Sequence, residues 1–95
     1  MANQTFDSAQ YKEYMAQLKR MIGELPPFCA EFFRGIENET LIRTRVAYAG
    51  DLKNFFGFLI KENENFKRDN IRSLTLSDID RVSVTDVEIY LSYVT

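Results

Sequence analysis

The sequence contains no histidine, one cysteine, two prolines, four glycines and no long apolar run. Without histidine there is no imidazole general base, none of the commonest zinc sites, and no Ser/His or Cys/His nucleophilic pair. Cys29 stands alone among the apolar neighbours of "PPFCAEFF", so no intrachain disulfide can form and nothing activates the thiol. It reads as a buried structural thiol, in keeping with a reducing compartment. The 14 acidic residues are scattered at the spacings of solvated helix faces, so an enzyme, a metal or a cofactor is not expected. With so few Gly and Pro and 45% apolar residues, disorder and low complexity are excluded. No window approaches the roughly 18 apolar residues of a membrane span, and "MANQTFDSAQ" has no basic segment followed by an apolar one. A soluble, cytoplasmic protein with no membrane partner is expected.

What is present is enough for one domain over residues 1–95, a size that buries roughly 60 to 65% of the surface of its unfolded chain. Net charge is −2, which argues against clinging to nucleic acid by total charge alone. Its distribution is more informative: residues 40–81 hold eight basic and six acidic side chains, whereas residues 1–39 hold four and six and residues 82–95 none and two. The positive excess lies in the middle of the chain.

Hydrophobic periodicity predicts an all-α protein. A first helix is expected from about Ser8 to Gly23, capped by Asp7 with Gln10 three residues on, with Tyr11, Tyr14, Met15, Leu18, Ile22 and Leu25 in one apolar stripe. That stripe faces either the core or a partner. "ELPPFC" interrupts it, because the residue before a proline avoids the α region, and Pro27 suits a first helical position. "FCAEFFRGIE" then gives a short helix with Phe28, Phe32 or Phe33, and Ile36 on one side. A third and longest helix is expected from Thr40 or Leu41 to about Glu62. "SLTLSDIDRVS" is mixed, with a turn of helix from Ser77, and "VTDVEIYLSYV" predicts a last helix with Thr85 as cap, Glu88 at the third position and Val84 stapled to Ile89.

At 100° per residue the third helix collects Leu41, Tyr48, Leu52, Phe55, Phe56 and Leu59 in a sector about 100° wide, its expected core stripe. The opposite side carries Arg43, Val46, Ala47, Gly50, Lys53, Asn54 and Gly57, small residues mixed with donors. Each glycine costs about 1 kcal/mol against alanine inside a helix, so a compensating reason is expected. One is close approach to a DNA groove, with Arg43, Thr44, Lys53 and Asn54 as donors. The other is close packing of a neighbouring helix.

The stretch "TRVAYAGDLKNFFGFL", with Thr44, Tyr48, Asp51-Leu52 and then Phe55-x-x-Phe58-Leu59, resembles the second helix of the core-binding, SAM-like N-terminal domain of tyrosine recombinases, the phage integrase family. "LTLSDIDRVSVTDVEIYLSYV" is similar to the continuation of that domain, so the resemblance covers about residues 40–94. It implies a small orthogonal bundle of about four helices, forming half of a C-shaped clamp on double-stranded DNA for recombination or integration, alongside other recombinase protomers. It further implies that Arg43, Thr44, Arg45, Ala47, Gly50 and Lys53 face DNA, although Arg45 points towards the core sector and would have to snorkel out. Lys67 and Arg68 either touch phosphates or form an ordinary solvated charge pair. The family's catalytic region has no counterpart here, nor does the basic helix that usually follows "YLSYV"; the chain reads as a non-catalytic fragment of a longer recombinase. The absent helix would leave apolar surface uncovered around Ile89, Leu91, Tyr93 and Val94, through which two copies could dimerise. The alternative function is a helical protein-interaction module that does not bind DNA.

Overall fold

The structure, a computed structural model, describes residues 8–95. It is a small all-α bundle of five helices, four of them of seven residues or more: α1 (Ser8–Glu24), α2 (Cys29–Gly35), α3 (Ile42–Glu62), α4 (Leu76–Asp80) and α5 (Val84–Val94). Three 3₁₀ turns, Glu37–Glu39, Glu64–Phe66 and Ile71–Ser73, complete the described chain, which contains no strand. The expected Asp7 cap lies outside the described residues.

The stripe of α1 turns inward as a core face. Leu18 and Leu25 are buried, and Tyr11, Tyr14, Met15 and Ile22 pack against the core, as does Met21 beside them. Pro26 is buried in the corner that follows. The Cys29 and Ala30 amides bond to the Pro26 and Pro27 carbonyls, so α2 starts two residues later than the Pro27 start predicts. Within α2 it is Phe33 that enters the core, while Phe32 is 48% exposed and rests edge-on against its ring. Cys29 is buried, and desolvation raises its pKa, keeping the thiol neutral.

α3 is the axis of the bundle. Its buried residues are Ile42, Arg45, Ala49, Phe56 and Leu59, whereas Tyr48, expected in the core, is 42% exposed. At 100° per residue the true core face is rotated by roughly 60° from the expected stripe. The cause is what packs on each flank. α1 crosses beside Gly50, where Met21 Cε lies 3.6 Å from the position of an added Cβ, and Ala49 is buried completely. On the other flank α5 covers only the C-terminal half, through Phe55 and Phe58, and Tyr48 lies one to two turns before that cover begins.

The chain after α3 is tied down by capping motifs. Asn63 ends α3, its amide bonding to the Leu59 carbonyl and its Oδ1 accepting from the Asn65 amide. Arg72 reaches back to the end of α1 and donates to the carbonyls of Gly23 and Leu25, where a cation also suits the helix dipole. Thr75 and Asp78 form a reciprocal capping box on α4, and Ser83 and Asp86 form another on α5. The α5 cap is therefore Ser83, two residues before the expected Thr85. That register also lets the Asn63 side-chain Nδ2 donate to Asp86 Oδ1 at 3.0 Å, which links α5 to the end of α3.

Candidate nucleic-acid interface

The outer side of α3 carries Arg43, Ala47, Asp51 and Asn54, all exposed, at the three- and four-residue spacings of one strip. Thr44 is half-buried at its edge, with Tyr48 exposed beside it. The strip exists because the buried stripe of α3 commits the opposite side, and because α5 reaches only the later turns. Arg43, Thr44, Ala47 and Asn54 are thus brought together on an accessible face. Asp51, within the same strip, places a carboxylate among them.

Three other expected DNA contacts are placed differently. Arg45 is buried, 5% exposed, and does not snorkel out; its Nη2 donates to the Thr40 carbonyl at 3.5 Å. Lys53 is half-exposed but is engaged by Glu24 of α1 at 2.7 Å, and this hydrogen bond, with the lysine charge, lowers the pKa of Glu24. A Cβ added at Gly50 would meet Met21 at ordinary van der Waals distance, so α1 borders the face that the spacing left open. Gly57 is different. Among the described residues a Cβ there would meet nothing within 4 Å, and no packing between them requires either glycine.

The two loop cations have partners as well. Lys67 pairs with Glu64 at 3.7 Å, both well exposed, which is the ordinary solvated pair. Arg68 belongs to a cluster that spacing alone did not single out. The buried Asp78 carboxylate accepts from the Thr75 amide and hydroxyl, from Arg68 Nη2 at 2.5 Å and from Arg81 Nη2 at 2.8 Å. Arg81 also stands over the Phe66 ring, 5.0 Å from its centroid. The bond from the Thr75 amide, then that from Arg81, brings the Asp78 pKa from 3.8 down to about 2. The signal available in the sequence was the Thr-x-x-Asp of residues 75–78, a capping pattern. This clamp fixes the segment between α3 and α4 and turns Arg68 inward rather than towards a ligand.

Among the described residues no group of three or more His, Cys, Asp or Glu side chains is placed to hold a metal ion, and no helix is long and apolar enough to cross a membrane. No family model, curated protein or solved structure matches the chain.

Proposed function

We propose that this protein is a non-catalytic DNA-binding module that lays the outer strip of α3 into the major groove, as part of a site-specific recombinase. The observation that carries the reading is the exposed strip itself: Arg43, Ala47 and Asn54 on accessible turns of a 21-residue helix, with Thr44 at its edge. A groove about 12 Å wide admits one helix, and Arg, Thr and Asn side chains are suited to phosphate oxygens and base edges. The order of motifs from Thr44 to Val94, which resembles the recombinase core-binding domain, supports the same assignment. In such an assembly the partners are double-stranded DNA and further recombinase protomers.

Affinity should be low, micromolar or weaker, because few cations release counterions and the net charge is −2. Titration of a labelled duplex at several salt concentrations tests the reading. Binding at low salt that falls steeply with added salt is expected, with Arg43→Ala reducing the logarithmic salt slope by about 1 and Asp51→Asn tightening binding. Glu24→Gln, which removes the carboxylate charge paired with Lys53, should also tighten it. Indifference to duplex at low salt defeats the proposal.

A second reading, a helical protein-interaction module, is favoured by one observation. Val84, Val87, Leu91 and Val94 are exposed on α5 at spacings of three, four and three, an apolar stripe without cover.

A further inference from the structure

A second feature lies away from the strip, where α1 and α2 meet over the start of α3. A cavity of about 410 Å³ opens there, within the range of small-molecule sites. Its walls are mainly apolar, with Leu18 and Ile22 from α1 and Phe33 from α2. Arg45 of α3 forms part of the lining. Lys19 and Arg34, both exposed, also line it, and Glu37 contributes its single carboxylate.

Arg45 is the anomaly. A guanidinium keeps its charge at any accessible pH, and burying it without an anion costs several kcal/mol. Yet Arg45 is only 5% exposed, its Nε has no hydrogen-bond partner, and its bond to the Thr40 carbonyl is at the limiting 3.5 Å. No carboxylate among the described residues lies within ion-pair distance of it. The contrast with Asp78 is direct. That buried charge is answered by two arginines and both donors of Thr75, whereas Arg45, in the lining of an apolar hollow, has no charged partner among the described residues.

We propose that this cavity binds a small amphipathic carboxylate, with its aliphatic tail against Leu18, Ile22 and Phe33 and its headgroup paired with Arg45. A guanidinium and a carboxylate make the strong, two-pronged pair that Arg45 lacks, and the walls answer an apolar body rather than a hydrated ion. At roughly 30 Å³ for each water-sized group, the volume suits a linear chain of about eight to ten carbons with its headgroup. Lys19 and Arg34 attract the anion to the site, and Glu37 opposes it.

Decanoate, decanol and inorganic phosphate, each titrated into the intact chain by calorimetry, test the proposal without any variant. Decanoate is expected to bind about tenfold or more tightly than decanol, the difference an added charged hydrogen bond supplies, and phosphate alone should not displace it. Arg45→Met, an apolar side chain of similar length, should keep the fold and erase the preference for decanoate over decanol. Glu37→Gln, on an exposed residue, should tighten decanoate binding. Equal binding of decanoate and decanol by the native chain, no binding of decanoate, or displacement of decanoate by phosphate overturns it. So does a folded Arg45→Met chain that retains the preference.

Discussion

At the scale of single residues, Asp78 has the clearest electrostatic role. Its carboxylate joins the α4 cap to Arg68 and Arg81, and the depressed pKa is the thermodynamic trace of those bonds. A carboxyl whose folded pKa lies below its unfolded value stabilises the fold above the unfolded value. That contribution is lost as pH falls towards the folded one. Urea melts should therefore show stability declining from about pH 4 to about pH 2, the interval between 3.8 and about 2 for Asp78. Asp86 and Glu24, with pKa values lowered by the Ser83 amide and by Lys53, add to the decline in the same direction. Asp78→Ala should cost about 2–3 kcal/mol near neutral pH, by loss of the cap and of the charged bonds, and should flatten the acid limb of the curve. An unchanged acid limb in Asp78→Ala would show that the clamp is not its source.

At the scale of the element, α3 shows what spacing can reveal and what it cannot. Its existence and length follow from periodicity between polar flanks, and the observed Ile42–Glu62 lies within two residues of the expected limits. Its rotational phase does not follow. Tyr48, Phe55 and Leu52 dominate a count of bulky side chains, but burial is decided by neighbours. The crossing of α1 rewards Ala49, which a count by bulk overlooks, and leaves Tyr48 outside. The same limit governs the candidate contacts. Arg43, Thr44, Ala47 and Asn54 stay outside the core sector whichever phase is chosen, Lys53 stands where about 60° of rotation changes its environment, and Arg45 lies towards the core in either phase. The helix also carries its own test. Because Gly57 has open space where a Cβ would go, and Gly50 only an ordinary contact with Met21, alanine should fit at both. Gly57→Ala should stabilise the fold by about 1 kcal/mol, read as a higher denaturation midpoint. If the open turns serve close approach to a duplex, that gain in stability comes with weaker duplex binding. A variant that is both stabler and equal in binding removes the glycines from the interface.

At the scale of the whole molecule, stability is unevenly distributed. The core draws on α1, α2, α3 and the segment carrying Phe66 and Leu74, and no residue of α5 is buried. The attachment of α5 is aromatic: Tyr90 meets the edges of Phe55 and Phe58 at 5.0 and 5.3 Å, and Tyr93 adds a tilted contact to Phe58 at 4.9 Å. The radius of gyration, 14.8 Å, exceeds the roughly 12 Å of a compact chain this long, as fits a peripheral last helix. Elements with few buried contacts open at lower free energy than the core, so α5 amides should exchange with solvent orders of magnitude faster than those of α3. Concentration then tests whether a second copy covers the α5 stripe. If a second copy covers Val84, Val87, Leu91 and Val94, protection of α5 should rise with protein concentration, in step with a dimer seen by sedimentation. Leu91→Glu should abolish both while leaving α3 protection and duplex binding as they were. A monomer at high concentration, with α5 exchange independent of concentration, sets aside self-association through this stripe.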